Sequence, residues 1–237
     1  MEKGTQGKVT RCLREGRVVW IKTPHPSQER SFLREVDIVK DLTDRHIIQY
    51  YSYSIEKLEL VMEDAEGGNL QSAIPKLPWE HKERIAGEIA HGISYIHSLG
   101  IVHCDIKSPN ILLTRSLVVK LCDFGSARVV TNNKDKTPCS GTPGWMAPEW
   151  LQDATAYSPK SDIYALGIVM WEMASGDEPC NRSQVLEERL EDVPVEYQGI
   201  MQDCWSLEPE RRPDARAISI MKYGRDSKQA VEYMMRL

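Results

Sequence analysis

The stretch from Ile101 to Gly125 constrains the fold more than any other part of the sequence, because polar clusters flank two short apolar runs within it. Apolar runs of this length separated by a turn predict a β-hairpin over 110–113 and 118–121. A hairpin brings its two ends together, so we expect Asn110 and Asp123 to lie close in space. The predicted hairpin therefore gathers side chains of both polar clusters at one edge.

The two polar clusters are His103–Asn110, with the sequence HCDIKSPN, and Asp123–Gly125, with the sequence DFG. They resemble the catalytic loop and the metal-binding loop of the eukaryotic protein kinases. The resemblance implies transfer of the γ-phosphoryl group of ATP to a protein hydroxyl, with Mg²⁺ as the metal. Both clusters occur in the family's order and with the family's offsets, which makes the resemblance specific.

The resemblance gives four of these residues a role. Asp105 would orient the substrate hydroxyl and accept its proton, and Lys107 would stabilise the charge on the transferring group. Asn110 and Asp123 would bind magnesium, which prefers oxygen ligands.

The first residues of the chain resemble the end of the family's glycine-rich loop, whose pattern is G-x-G-x-x-G-x-V. Gly4, Gly7 and Val9 match this pattern and would contact the nucleotide, whereas the first glycine position falls on Glu2. The family has a strand before this loop, and we expect no such strand here.

The apolar run Val18–Lys22 predicts a short buried strand that ends in a lysine. It resembles the V-A-I-K strand, whose lysine contacts the phosphates of ATP. The pattern over Gln28–Leu42 predicts an amphipathic helix with Ser27 as its cap. Glu35 on this helix matches the glutamate that pairs with the strand lysine, so we expect an ion pair between Lys22 and Glu35.

Two further strands are predicted at 46–51 and 58–62. The residues that follow resemble the hinge between the kinase lobes. By this resemblance the carbonyl of Glu63 and the amide of Ala65 would bind adenine, and Leu112 would also contact the nucleotide.

Helical periodicity predicts two long helices at Pro78–Leu99 and Ser158–Ser175. Asp162 matches the helix aspartate that, in the family, bonds the catalytic-loop backbone from beneath. The resemblance also pairs Glu149 with Arg212 in a buried ion pair.

The polar stretch 126–149 resembles the activation segment, which ends in the family's A-P-E sequence. Its candidate phosphorylation sites are the hydroxyls of Thr131, Thr137, Ser140 and Thr142. Thr142 would bond Asp105 and Lys107 and form part of the substrate platform. The combination of Lys107 and Thr142 indicates the serine/threonine class.

Cys104 occupies the position at which the family usually has an arginine that receives an activation-loop phosphate. A thiol cannot form that ion pair. We therefore expect that activity does not depend on phosphate docking at this position.

The composition excludes several other classes of function. A net charge of −5 gives no electrostatic footprint for nucleic acid, and the most apolar run, Tyr164–Met170, is too short for membrane insertion. The six cysteines show no C-x-x-C pair, which favours a reduced intracellular compartment, the cytoplasm.

Together these features predict an α+β protein with the two-lobed kinase fold, in which a small antiparallel sheet with one helix joins a larger, mainly helical lobe. The chain, 1–237, would form one domain, with a small lobe over about 1–62, a hinge at 63–66, a large lobe over about 67–222 and a short tail at 223–237. The expected partners are ATP and a protein substrate.

An alternative hypothesis is a catalytically weak or inactive pseudokinase that acts as a binding or scaffold module. Trp20 replaces the small alanine that packs on adenine in the family, and a large indole there would narrow the pocket. The incomplete glycine-rich loop points the same way. The presence of Lys22, Glu35 and the catalytic stretch opposes this hypothesis.

Overall fold

A five-stranded antiparallel sheet forms the N-terminal part of the protein in this computed structural model, which describes residues 2–4, 7–130, 138–139, 141–179, 190 and 192–221. The strand order is β1-β2-β3-β5-β4. The bounds are Glu2–Gly4 for β1, Gly7–Arg14 for β2, Arg17–Pro24 for β3, Tyr50–Ser54 for β4 and Glu59–Glu63 for β5. The predicted lysine strand is thus confirmed, at the centre of the sheet.

One α-helix, α1 (Glu29–Val39), belongs to the same part of the protein, and its Phe32, Val36 and Val39 are buried, as the amphipathic pattern predicts. The prediction that Ser27 caps α1 is wrong. Ser27 lies inside a 3₁₀ turn that precedes the helix, and its backbone N–H and hydroxyl are bonded to the ring of His25.

The strand predicted at 46–51 is largely wrong, because the observed β4 begins only at Tyr50. The backbone of the preceding residues pairs with the other lobe instead. Leu121 N–H donates to the His46 carbonyl at 2.7 Å, and Ile48 N–H donates to the Leu121 carbonyl at 2.9 Å. Hydrophobic pattern alone does not distinguish pairing within a sheet from pairing between lobes.

The rest of the described chain is mainly helical. The helices are α2 (Leu70–Ala73), α3 (Trp79–Ser98), α4 (Pro148–Gln152), α5 (Pro159–Ser175), α6 (Val195–Cys204) and α7 (Ala215–Met221). Both predicted long helices, α3 and α5, are confirmed. A capping box between Ser158 and Ser161 starts α5, and Gly176 ends it at φ 85°, a left-handed conformation that suits glycine.

Short strands hold the loops between these helices. The predicted hairpin is present as β8 (Ile111–Leu113) and β9 (Val119–Leu121), and β6 (Gly68–Asn69) pairs with β8. The strand β7 (Ile101–Val102) pairs with β10 (Arg128–Val129). This second pairing ties the start of the catalytic stretch to the residues that follow it.

The predicted α+β class and two-lobed architecture are confirmed by the small sheet lobe and the helical lobe. The proposed domain and lobe boundaries stay predictions, and the tail at 223–237 lies outside the described residues. Among the helices that the structure describes, none combines the length and the apolar character needed to cross a membrane.

The expected ion pair between Glu149 and Arg212 is present and joins α4 to the C-terminal helices. Two guanidinium nitrogens of Arg212 donate to Glu149 at 2.7 and 2.9 Å. The same guanidinium donates to the carbonyls of Ser206 and Lys160, and it stacks over the ring of Tyr164. The side chain of Arg212 is fully buried, so these partners take the place of water around its charge.

Removal of this guanidinium is expected to destabilise the large lobe strongly. Arg212→Leu leaves the Glu149 carboxylate without its partner and should lower the free energy of unfolding by about 3–5 kcal/mol. The neighbouring Arg211 is a matched control, because its side chain is exposed and is paired with Glu208 one turn away. Arg211→Leu should change stability by less than about 0.5 kcal/mol in the same urea titration. Equal losses for the two variants would contradict this account.

Candidate active site

A buried lysine connects the two lobes at the centre of the site. The ammonium of Lys22 on β3 donates to both carboxylate oxygens of Glu35 on α1, at 2.7 and 2.8 Å, and to Asp123 of the large lobe at 2.8 Å. Burial opposes the charge on Lys22, but the two carboxylates overcome it and raise the pKa of this lysine above its ordinary value. The expected Lys22–Glu35 pair is confirmed as a contact.

Asp123 lies directly after the hairpin, in a left-handed conformation with φ 61°. Burial raises the pKa of its carboxyl group, but the charge and hydrogen bond of Lys22 outweigh this and lower it overall. The next residue, Phe124, is fully buried, and its ring lies 4.7 Å from that of His103. Cys122 N–H donates to the Asn110 carbonyl at 3.0 Å, so the two ends of the hairpin meet as predicted.

Three side chains contact the carboxylate of Asp105 in the catalytic loop. One oxygen accepts from the Thr142 hydroxyl at 2.6 Å, and the other accepts from the Asn110 amide at 2.9 Å and lies 2.8 Å from the Lys107 ammonium. Lys107 also donates to the Thr142 hydroxyl at 2.7 Å. The expected contacts of Thr142 with Asp105 and Lys107 are therefore confirmed.

Asp162 of α5 supports this loop from below. Its carboxylate accepts from the backbone N–H groups of His103 and Cys104 at 2.9 and 3.0 Å, and it lies 2.8 Å from Nε2 of His97. This confirms the expected contact between Asp162 and the catalytic-loop backbone. Cys104 has φ 64°, an uncommon conformation for a residue with a side chain, and the bond to Asp162 holds it there.

Two cavities have the Lys22–Glu35 pair in their walls. The first, of about 390 Å³, lies between the lobes, and the second, of about 400 Å³, lies under α1 and includes Asp105 and Thr142. The predicted site residues that line the first cavity are Gly7, Val9, Lys22, Glu35, Glu63, Lys107, Asn110, Leu112 and Asp123. The fold thus brings residues from widely separated parts of the sequence to one cleft.

Trp20 forms part of the wall of the first cavity rather than filling it. Its indole N–H donates to the Asp64 carboxylate at 2.7 Å, and Arg11 on β2 donates to the same carboxylate. The hydrogen bond from Arg11 and then that from Trp20 lower the pKa of Asp64, against the effect of partial burial. Sequence reasoning missed Asp64, because no local pattern connects it with a tryptophan 44 residues earlier.

Three other predicted nucleotide contacts, Gly4, Glu63 and Ala65, have protein partners in the structure. Ala65 is buried in an apolar cluster with Met62 and Cys122 behind the cleft. The side chain of Glu63 lies 2.7 Å from the Lys120 ammonium. Gly4 pairs with Gly7 across the hairpin of β1 and β2. The expectation that no strand precedes this loop is therefore wrong, because a three-residue strand, β1, lies there and pairs with β2.

Gly7 is required by the packing of the sheet. Its φ is 136°, and a Cβ atom there would lie 2.4 Å from the Thr23 carbonyl oxygen and 2.7 Å from Cα of Pro24. A side chain would separate β2 from β3. This close approach explains the glycine without any ligand contact.

The donor atoms at the cleft suit a magnesium ion held jointly with phosphate rather than a metal held by protein alone. Among the described residues, no group of three or more His, Cys, Asp or Glu side chains is arranged to hold a metal. Asn110 and Asp123 line the same cleft, and Asn110 uses its amide nitrogen to bond Asp105. Its amide oxygen is thereby left to act as a ligand.

A second buried carboxylate, Glu172 on α5, lies beneath the catalytic loop and was not predicted. It accepts from the Ser108 hydroxyl at 2.6 Å and from the Trp145 indole at 2.8 Å. Burial raises its pKa to about 7, against the effect of these two hydrogen bonds, and Glu178 adds to the increase. Its distance from the catalytic loop in sequence, 64 residues from Ser108, left no local signal.

Comparison with known proteins adds an independent observation. The family model described as the protein kinase domain matches residues 2–223. The serine/threonine-protein kinase/receptor R826 of Acanthamoeba polyphaga mimivirus is 38% identical over 198 residues, which cover 76% of this chain and 12% of that protein.

Two cellular relatives give the same picture. The mitogen-activated protein kinase kinase mkk2 of Aspergillus fumigatus is 37% identical over 73% of this chain and 37% of its own length. The serine/threonine-protein kinase CTR1 of Arabidopsis thaliana is 33% identical over 82% of this chain and 26% of its own length. The chain therefore spans between 12% and 37% of the length of these three relatives.

The raised pKa of Glu172 predicts a pH-dependent contribution to stability. In the unfolded chain this carboxyl group ionises near pH 4.5, whereas the folded protein keeps its proton until about pH 7. Folding is therefore weakened as the pH rises through this window. Glu172→Gln removes the effect, so its stability relative to the original protein should increase by up to about 3 kcal/mol between pH 4.5 and 8.

Urea unfolding at several pH values measures this difference. Glu56→Gln is the control, because Glu56 is exposed in the turn between β4 and β5 and its variant should keep a nearly constant difference across the same range. A constant difference for Glu172→Gln as well would contradict the assignment.

Proposed function

The chain belongs to the protein kinase family, in its eukaryotic serine/threonine class, and we propose that it transfers the γ-phosphoryl group of ATP to Ser or Thr hydroxyls of a protein substrate. The observation that carries this proposal is the set of contacts at Asp105. Thr142, Asn110 and Lys107 fix both of its oxygens at the edge of a cavity. A carboxylate held in this way is positioned to orient a hydroxyl and to accept its proton.

The nucleotide would occupy the cavity between the lobes. Its volume, about 390 Å³, falls within the range of small-molecule sites. The walls contributed by Val9, Trp20, Met62 and Leu112 are apolar and suit a base, whereas Lys22, Asn110 and Asp123 provide charged and polar groups for phosphates. Lys22 would bind phosphate oxygens while Glu35 keeps its ammonium in place.

Asn110 and Asp123 would hold magnesium, since they offer an amide oxygen and a carboxylate to the same cleft. When bound, the ion would neutralise part of the charge on the phosphates. Lys107 would add a second positive charge on the side of the substrate hydroxyl, because it bonds both Asp105 and Thr142. These residues together can position the reactants and stabilise charge, which is most of what phosphoryl transfer requires.

The scaffold alternative is not favoured, because the relatives are named as kinases and the catalytic side chains are in mutual contact. Trp20 does not close the cleft, which removes one of the two observations behind that alternative. We further propose the single-domain boundaries given above and an intracellular location. The candidate phosphorylation sites Thr131, Thr137 and Ser140 lie outside the described residues.

Binding of Mg-ATP should stabilise the protein against heat. At 100 times its dissociation constant, a ligand adds about 2.7 kcal/mol to the free energy of unfolding. Lys22→Met should lose most of this ligand-dependent stabilisation, because Lys22 lies at the phosphate end of the cleft. Lys40→Met should keep it, since Lys40 is exposed at the end of α1, where its ammonium is paired with Asp37. The absence of any thermal shift at millimolar ATP would contradict the proposed function.

Removal of the catalytic carboxylate should separate binding from transfer. Asp105→Asn should lower the rate of phosphate transfer to a generic basic protein by about 10²–10⁴-fold, because the amide cannot accept the hydroxyl proton. The thermal shift with Mg-ATP should remain. Asp37→Asn, on the exposed face of α1, is the control and should keep both properties. A transfer rate that survives in Asp105→Asn would overturn the role of Asp105, and ATP binding without transfer in the original protein would favour the scaffold.

A further inference from the structure

Two buried thiols from different loops meet next to the catalytic loop. Cys104 follows β7 and is 1% exposed, and Cys139 belongs to the segment before Thr142 and is 5% exposed. The side chains of Cys104 and Cys139 contact each other through a hydrogen bond between their sulfur atoms. Both residues are members of one apolar cluster with Val102, Trp150 and Tyr157.

The backbone around Cys139 is fixed on both sides. Its N–H donates to the Ala154 carbonyl at 3.1 Å, and its own carbonyl accepts from the Trp150 indole at 3.2 Å. Its thiol also lies 3.1 Å from the Ser126 carbonyl. On the other side, the bond from the Cys104 N–H to Asp162 fixes the backbone of Cys104. The contact between the two thiols is therefore built into the fold from both sides.

The pair is also reachable by a small molecule. Cys139 lines the cavity of about 400 Å³ under α1, together with Ser126 and Arg128. Cys104 does not line this cavity and instead lines a much smaller cleft with Asp105 and Thr142. A reagent that enters the cavity therefore meets Cys139 first and Cys104 second.

The electrostatic surroundings also make Cys139 the more acidic of the two thiols. The hydrogen bond with Cys104 and the charge of Arg128 lower the pKa of Cys139, against partial burial. The same hydrogen bond and then burial raise the pKa of Cys104. Within the part of the chain that the structure describes, Nε of Arg128 is a buried donor without a partner, which adds to the positive environment. A thiolate is the reactive form of cysteine, so Cys139 is the nucleophile and Cys104 the resolving thiol.

We propose that Cys104 and Cys139 are a redox-active pair that forms a reversible disulfide on reaction with hydrogen peroxide, and so links the catalytic loop covalently to the activation segment. The position of Cys104 is the one at which the family usually has a phosphate-binding arginine. A covalent link would here make the connection that a thiol cannot make by charge. This inference does not depend on the proposed function, because the bond can be measured without any activity assay.

The reaction balances with peroxide as the only oxidant. The Cys139 thiolate attacks one peroxide oxygen, the O–O bond breaks, and the departing hydroxide takes a proton to become water. Cys139 is then a sulfenic acid. The sulfur of Cys104 attacks the sulfur of Cys139, the S–O bond breaks, and the second hydroxide leaves as water with the proton of Cys104. Two thiols lose two electrons in total and peroxide gains them.

Disulfide mapping on the full chain tests the proposal. The reduced protein is treated with hydrogen peroxide, its remaining thiols are blocked with N-ethylmaleimide, and the sample is digested without reductant for mass spectrometry. We expect one linked pair of peptides that contain Cys104 and Cys139, lighter than their sum by two hydrogen atoms. Dithiothreitol should restore both thiols. The oxidised protein should also melt at a higher temperature than the reduced protein, because the link restricts the unfolded chain.

Two variants separate pairing from exposure. Cys139→Ser should abolish both the linked peptide and the peroxide-dependent shift in melting temperature. Cys12→Ser should keep both, although Cys12 is the more exposed thiol. Peroxide treatment that leaves Cys104 and Cys139 open to alkylation, or that converts Cys139 to a sulfinic acid without a link, would overturn the proposal. The mapping on the unaltered protein decides this even where a serine variant does not fold.

Discussion

The arrangement of the site depends on one buried carboxylate, Asp162, which holds the catalytic loop to α5. Two backbone N–H groups of the loop, those of His103 and Cys104, donate hydrogen bonds to this carboxylate. Cys104 has a left-handed conformation, which costs on the order of 1–3 kcal/mol. The loop keeps this conformation because α5 is buried nearly all round and cannot move away. His103 then reaches the carbonyl of Cys122, so the constraint continues to the residue before Asp123.

A second constraint fixes the lobes relative to each other, and here the important group is the ammonium of Lys22. It bonds a carboxylate of the small lobe and one of the large lobe at nearly equal distances. The pairing of Ile47 with Leu121 and the bond from the Ser31 hydroxyl to the Gly125 carbonyl act in the same direction. These contacts between the lobes lie around the cleft. The shape of the cleft therefore depends on how the two lobes are held together as well as on the residues that line it.

Local sequence patterns predicted the elements whose partners are near in sequence. The hairpin around Asn110 and Asp123 and the capped helix α5 follow from periodicity and turn residues, and both were found. The prediction for 46–51 was wrong because the backbone of these residues pairs with the other lobe. The prediction for Ser27 was wrong for a local reason, because its hydroxyl bonds the ring of His25 and a 3₁₀ turn precedes the helix. The roles assigned to the site residues remain predictions that come from resemblance.

Trp20 and Cys104 both depart from the family pattern, and each of them has a partner elsewhere in the fold. In each case a residue that looks unsuitable in isolation has a partner that is distant in sequence: Asp64 for the indole and Cys139 for the thiol. A substitution at a site is therefore better judged by the group that it meets than by the group that it replaces. Asp64 keeps the indole at the wall of the cleft, and Cys139 gives Cys104 a partner in the activation segment.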